Sequence, residues 1–260
     1  AAAALAAAED TDGLVLLAPA DHVIGDTAAY HAAIAAGRAA AEAGALVVFG
    51  LKPHRAETGY GYIRAGAGAG PVRPVAAFVE KPDAATAQRF LEDGAYSWNA
   101  GIFLFQARAF LAEARRLAPE VAAAAEAAMA EATLSDGGLR LGDSFLRAPA
   151  ISVDYAVFEK TDKAVVVPCE IGWSDVGAWR TLWELAQPAP DGNALQGEVV
   201  AVDAAGCLAR TDGPLVALAG VKDLVVIVEA GVVLVAAKDD PEAIKALVEQ
   251  LRATGRTDLL

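Results

Sequence analysis

The sequence predicts an α/β fold, with a Rossmann-like, mainly parallel sheet followed by a small β-rich domain. Three observations carry that expectation. The runs "LVLLAPAD" (14–21) and "ALVVFGL" (45–51) are apolar and flank a helical stretch, the pattern of a βαβ unit with buried parallel strands. Further strand-like and helix-like segments alternate up to about residue 186. Beyond "QPAPDGN" (187–193) only short β-runs recur, separated by Gly, Asp or Asn, until a last amphipathic segment. The expected division is therefore a catalytic-type domain over 1–187 and a small β-rich domain with a C-terminal helix over 188–260.

Taken in order, the opening "AAAALAAAED" reads as the tail of an alanine-rich helix. It lacks the basic and apolar regions of a secretory signal. The first strand ends in Pro19 and Asp21. A helix is expected from Asp26, its N-cap, to Ala43, with Gly44 just past its end. "TGYGYIRAGAGAGPVRPVAAFVEKP" (58–82) reads as two strands joined by a glycine-rich hairpin tip. "GAGAG" is no phosphate-binding loop, because a strand and not a helix follows it. Asp83–Asp93 is a short helix stopped by Gly94, "YSWNAGIFLF" (96–105) a strand, and two alanine-rich helices continue to about Ala132. "SVDYAVFEK" (152–160) is a helix with Ser152 as N-cap, and Asp154 in its first turn is explained by the helix dipole. "AVVVP" (164–168) is a buried strand leading to "GWSDVGAW" (172–179), and a helix follows over Gly177–Ala186. Asp240–Ala253 closes the chain as an amphipathic helix.

Composition narrows the function. The 260 residues are 55% hydrophobic and 21% charged, which fits a globular chain. A net charge of −13 argues against nucleic acid or a membrane surface as partner. No apolar stretch is long enough to span a bilayer, so a cytoplasmic location is expected. Cys169 and Cys207 have no metal-type spacing and read as reduced structural residues, and His22, His31 and His54 show no zinc pattern.

Five stretches could carry chemistry. Asp21 and Asp175 each follow an apolar strand, where ligands of open α/β sheets collect. Two carboxylates there would suit Mg²⁺, though turn or capping roles explain them as well. "VEKP" (79–82) sets Glu80 beside Lys81 past a strand end, a hydroxyl acceptor beside a phosphate-neutralising ammonium, or simply a solvated terminus. "WNAGIF" (98–103) puts Asn99, an amide that needs partners, into an apolar strand. "TGYGYI" (58–63) has glycines where a ligand could approach the backbone, as an ordinary turn also would.

In order, "LLAPADHVIGD", "TGYGYIR", "FVEKPD", "WNAGIFLF", "SVDYAVFEKTDKAVVVP" and "GWSDVGAWRTLWEL" resemble the mannose-1-phosphate guanylyltransferases, a family of sugar nucleotidyltransferases. The segment from "GEVVAV" to "VAAKDD" resembles the β-rich region that follows their catalytic domain. The resemblance implies transfer from GTP to mannose-1-phosphate, giving GDP-mannose and pyrophosphate. It implies Asp21 and Asp175 as Mg²⁺ ligands, Glu80 and Asn99 as sugar-hydroxyl partners, Lys81 as the sugar-phosphate anchor, and Gly59, Tyr60 and Gly61 against the sugar nucleotide. Asp21, Lys81 and Asp175 would then be the catalytic set, with Trp173 and Trp179 packing the Asp175 turn against the sheet. The family's "GGxGTRLxP"-type loop has no counterpart here, so a chain lacking its N-terminal units is expected, with weak ligand binding, little catalysis and poor stability. A non-catalytic sugar-nucleotide-binding or regulatory paralogue, and a nucleotidyltransferase for another sugar-1-phosphate, are the alternatives. The apolar β-region would suit pairing with a second copy as a homodimer.

Overall fold

The computed structural model describes residues 12–135, 137–186 and 188–259. The alanine-rich opening, residues 1–11, lies outside the described residues. The chain divides into two compact units, one ending at Trp173 and the next beginning at Ser174.

The first unit is built on six strands: β1 (Leu14–Leu17), β2 (Leu46–Leu51), β3 (Tyr62–Ala65), β4 (Arg73–Val79), β5 (Tyr96–Gln106) and β6 (Ala164–Cys169). Helix α1 (Thr27–Glu42) links β1 to β2, N-capped by the Asp26 carboxylate, which accepts from the Ala29 N–H, and followed by Gly44 at φ +91°. That is the expected βαβ unit. Helix α2 (Ala84–Asp93) is capped by Asp83 and closed by a left-handed Gly94. Helices α3 (Ala107–Leu117) and α4 (Pro119–Ala130) follow β5.

The sheet is mixed: β1, β2, β3 and β6 share one direction, and β4 and β5 run against them. Among the described residues the β2–β6 ladder alone of this sheet is parallel. The β1–β5, β2–β5, β3–β4, β3–β5 and β4–β6 ladders are antiparallel. The physical reason is β5, which runs against β1 and β2 and lies between them, so the two strands of the βαβ unit share a direction without touching. Alternation along β5 serves both faces. Phe103 and Phe105 pack with Leu46, Val48 and α3, while Trp98, Ala100, Ile102 and Leu104 pack with Val47, Phe49 and Ala33 of α1. Both faces are thus covered, which is why "LVVFGL" is buried throughout.

The second unit coils. Strands β7 (Ala194–Gln196), β9 (Leu208–Thr211) and β11 (Leu224–Glu229) pair in parallel on one sheet, and β8 (Val199–Val202) and β10 (Val216–Ala219) pair in parallel on another. Successive strands alternate between the sheets, so each turn of chain adds one strand to each. Strand β12 (Val232–Ala237) then folds back antiparallel on β11. Cys207, Ala209, Leu218 and Val226 fill the space inside the coil. On the other side of the first sheet, Trp179, Leu182 and Trp183 of α5 (Trp179–Leu185) cover Leu208, Val225 and Ile227. Helix α5 belongs with this unit for that reason, although the composition changes only after it. Helix α6 (Pro241–Ala253), capped by Asp240, ends the chain. Among the described residues no helix is long and apolar enough to cross a membrane.

Candidate active site

Backbone hydrogen bonds gather three of the segments singled out above. The Tyr60 carbonyl accepts from the Lys81 N–H at 3.2 Å, and the Gly61 carbonyl accepts from the Asn99 N–H at 2.7 Å. Residues 59–61 therefore bridge the end of β4 and the middle of β5, bringing Gly59, Tyr60, Gly61, Glu80, Lys81 and Asn99 together. The loop after β1 joins them: a methyl group added at Gly101 would meet Pro19 and His22 at 3.8 Å. Asp21, exposed, sits in that loop.

Glu80 is the most unusual group in this cluster. Its side chain is only 9% exposed, and Oε2 is buried without a hydrogen-bond partner. Burial, then the nearby Asp154 charge, push its carboxyl up to about 7, against the opposing pull of Lys81. The clearance that admits this carboxylate comes from Gly61, where a Cβ would lie 2.3 Å from Oε2. Lys81 follows with φ +47°, a left-handed conformation costly for a residue before proline. Its ammonium stays largely exposed, 3.9 Å from Glu80 Oε1. Strain held at a strand end beside an orphaned carboxylate marks a ligand site more strongly than either feature alone.

Asn99 has both ends of its amide engaged. Nδ2 donates to Asp154 Oδ1 at 2.9 Å, and Oδ1 accepts from the Gly101 N–H at 3.1 Å. Asp154 lies in the first helical turn, as expected, and has a side-chain partner as well. The segment Asp154–Phe158 is a π-helical turn, closed by the Glu159 N–H on the Asp154 carbonyl. It presents Asp154 to Asn99 and the Glu159 carboxylate to the Glu80 N–H, at 2.8 Å. Burial raises the Asp154 carboxyl, with the Asn99 bond and Lys81 opposing. Sequence reading missed both acids, since Asp in a first helical turn has an ordinary explanation. The one available signal was the clustering of Asp154 and Glu159 in a short acidic-aromatic stretch.

Beside this cluster runs a chain of aromatic rings. His54, Trp98, Tyr60, Trp173 and His22 meet edge to face in that order, at centroid separations of 4.8, 5.3, 5.2 and 5.2 Å. Trp173 Nε1 donates to His22 Nδ1 at 3.0 Å. Trp173 is held there because Gly25 and Asp26 donate to the Gly172 and Ile171 carbonyls. Gly172, at φ +61°, lets the chains approach closely, since a Cβ would come 3.0 Å from Gly25 Cα. Trp173 packs against the core of the first unit, as expected. Trp179 does not: it packs on the β-coil of the second unit.

Asp175 stands in the second unit, in a turn where Val176 takes φ +50°. Its Oδ1 accepts from the Gly177 N–H at 3.2 Å, and a Cβ at Gly177 would come 2.7 Å from Oδ2. The glycine is needed to fit the carboxylate into its own turn. Among the described residues no three His, Cys, Asp or Glu side chains gather around a common point that could hold a metal. Asp21 and Asp175 each offer hard carboxylate oxygens of the type Mg²⁺ takes alongside phosphate. Both cysteines are free thiols, and burial pushes that of Cys169 up to about 11, which makes it unreactive.

Comparison with known proteins gives this geometry a context. Residues 1–191 match the family model for nucleotidyl transferase, and residues 197–251 match that for a MannoseP isomerase/GMP-like beta-helix domain. The chain is 44% identical to the xanthan biosynthesis protein XanB of Xanthomonas campestris, over 99% of its own length and 56% of that protein. It is 43% identical to a mannose-1-phosphate guanylyltransferase of Escherichia coli, over 98% of its own length and 55% of that protein. The chain thus spans about half the length of these curated relatives. A crystal structure of "mannose-1-phosphate geranyltransferase" from Thermus thermophilus superposes with a TM-score of 0.81 at 38% identity, covering 92% of this chain and 70% of that one.

Proposed function

The chain belongs to the nucleotidyl transferase family, and from that premise we propose that it makes GDP-mannose and pyrophosphate from GTP and mannose-1-phosphate, with Mg²⁺ as cofactor. The observation that carries this reading is the buried Glu80 carboxylate, with an unpartnered Oε2, set between the clamped amide of Asn99 and the exposed ammonium of Lys81. An acceptor, a donor and a cation at one strand end are what a sugar phosphate requires: hydroxyls for the first two, phosphate for the third. The identity to a mannose-1-phosphate guanylyltransferase supports the choice of sugar and base.

The chemistry asks for little covalent work from the protein. A sugar-phosphate oxygen forms a bond to the α-phosphorus of GTP, the bond from that phosphorus to the bridging oxygen breaks, and pyrophosphate leaves with its electrons. Lys81 neutralises the attacking phosphate and fixes its position, while Glu80 and Asn99 orient the sugar ring through its hydroxyls. Tyr60 and Gly61, tied by their carbonyls to Lys81 and Asn99, form the wall beside the sugar. Asp21 and Asp175 are each candidate carboxylate ligands for Mg²⁺, which would supply charge neutralisation to the phosphates when bound.

Calorimetric titration of GDP-mannose, with and without Mg²⁺, tests the reading. The expected result is Mg²⁺-assisted binding that Lys81→Ala, Glu80→Gln and Asp175→Asn each weaken by about tenfold or more. Competition with UDP-glucose and GDP-glucose reports base and sugar preference. A folded chain that binds no sugar nucleotide, or binds all three equally, refutes it.

A further inference from the structure

Of the groups around the sugar-phosphate cluster, Asp154 has the most defined contact and no place in the reaction as proposed. Its Oδ1 accepts from Asn99 Nδ2, and the far end of that amide is occupied by the Gly101 N–H. Flipping the amide would set Asn99 Oδ1 against a carboxylate and Nδ2 against an N–H, so Asp154 decides which way it faces. The second Nδ2 hydrogen has no partner among the described residues. The π-helical turn carrying Asp154 also carries Glu159, whose carboxylate takes the Glu80 N–H. Two acids from this segment therefore act on Glu80: Glu159 accepts from its N–H, and the Asp154 charge acts on its carboxyl.

We propose that Asp154 is a positioning residue with two effects: its hydrogen bond aims the free N–H of Asn99 at a ligand hydroxyl, and its charge sets whether Glu80 meets the ligand as a proton donor or acceptor. The inference rests on the sugar-phosphate reading of Glu80 and Asn99. The charged and titratable groups facing Glu80 are Asp154, Glu159 and Lys81, with the Tyr155 phenol nearby. Burial raises the Glu80 carboxyl most, and Asp154 and then Glu159 add to it against the opposing pull of Lys81, whose Nζ stays 3.9 Å away and largely in solvent. With its carboxyl raised to about 7, Glu80 changes from donor to acceptor across the neutral range. A sugar hydroxyl that donates to it is held more tightly after that change, because the ionised carboxylate is the stronger acceptor.

Two substitutions separate the effects. In Asp154→Asn the amide oxygen still accepts from Asn99, while the charge is gone. In Asp154→Ala both are lost. GDP-mannose binding, followed by calorimetry from about pH 5.5 to 8.5, is expected to strengthen with pH in the wild type. Asp154→Asn should bind within about threefold of wild type at the alkaline end, with its midpoint moved to lower pH. Asp154→Ala should bind about tenfold more weakly throughout. Equal losses in the two variants with an unmoved midpoint would reduce Asp154 to packing, and wild-type affinity in Asp154→Ala would overturn the proposal outright. Carboxyl NMR titration of the ligand-free chain reads the charge effect separately: Glu80 should titrate lower in Asp154→Asn. A lower Glu80 midpoint in a chain that binds no sugar nucleotide would refute the substrate reading and leave the Asp154–Glu80 coupling standing. An unchanged midpoint refutes the coupling whatever the ligand.

Discussion

Gly61→Ala tests how the site is shaped with the smallest possible perturbation. Gly61 does not use the left-handed conformation, so its backbone accepts an alanine. The new methyl carbon would stand 2.3 Å from Glu80 Oε2 and 3.2 Å from Asn99 Cβ. Comfortable contact begins near about 3.5 Å, so the carboxylate has to retreat by roughly 1 Å. Asn99 cannot give way easily, because both ends of its amide are tied. Overpacking of this kind costs about 1–3 kcal/mol, partly offset by about 0.4–1 kcal/mol from a stiffer unfolded chain. Thermal unfolding should therefore show a loss of at most about 2.6 kcal/mol. Binding suffers more: a misplacement of about 1 Å costs up to roughly 100-fold where orientation matters, so GDP-mannose affinity should fall by 10- to 100-fold. Gly59→Ala makes a graded comparison, since its methyl would come no closer than 3.4 Å to Glu57 Oε1. Its effect should stay below about threefold. A folded Gly61→Ala chain that binds GDP-mannose as tightly as Gly59→Ala would show that the Gly61–Glu80 clearance does not shape the site.

Three further outcomes are expected. Glu80 binds its proton more tightly in the folded chain than the ordinary 4.5, so its stabilising share is complete below that value and is lost as pH rises through about 7. Glu80→Gln should accordingly raise stability above neutral pH, by up to about 3 kcal/mol, and leave it unchanged near pH 4; denaturant melts at both values check the sign. Glu113 behaves oppositely. Burial would raise its carboxyl, but hydrogen bonds from Arg116, Thr161 and Lys163 prevail and bring it to about 2, so its contribution holds above pH 4.5 and fades as pH falls toward 2. Glu113→Ala should cost about 3 kcal/mol at pH 7 and much less near pH 2, and equal costs at both would contradict the assignment. In the second unit, buried Lys238 donates to the Gly206 carbonyl and Asp223 and lies 3.7 Å above the Trp183 ring. Lys238→Met should destabilise that unit by about 2–3 kcal/mol, read as an earlier loss of Trp183 fluorescence on heating.

Much of this molecule is written locally. Asp26, Asp83 and Asp240 cap the helices they precede, Gly44 and Gly94 take positive φ just past two helix ends, and the apolar runs at 46–51 and 164–169 are strands. Each rests on a side chain acting within a few residues of itself, so spacing and residue type suffice to find it. The grouping of Gly59–Gly61, Glu80, Lys81 and Asn99 was legible only through resemblance, because nothing in their spacing places them at one strand end. The direction of β5 could not be read at all. A strand's alternation records which faces it buries, and it buries the same faces whichever way it runs.

Asp154 shows the limit most clearly. As a residue of sequence it is an acid in the first turn of a helix, sufficiently explained by the dipole. In the folded chain a π-helical turn carries it to Asn99, fifty-five positions away, beside a carboxylate that burial leaves protonated near neutrality. Residue type alone determined that Asp154, Glu80 and Asn99 could bond and titrate. Only the tertiary structure decided that they do so with one another, because burial and a hydrogen-bond partner distant in sequence are what set a carboxyl's charge.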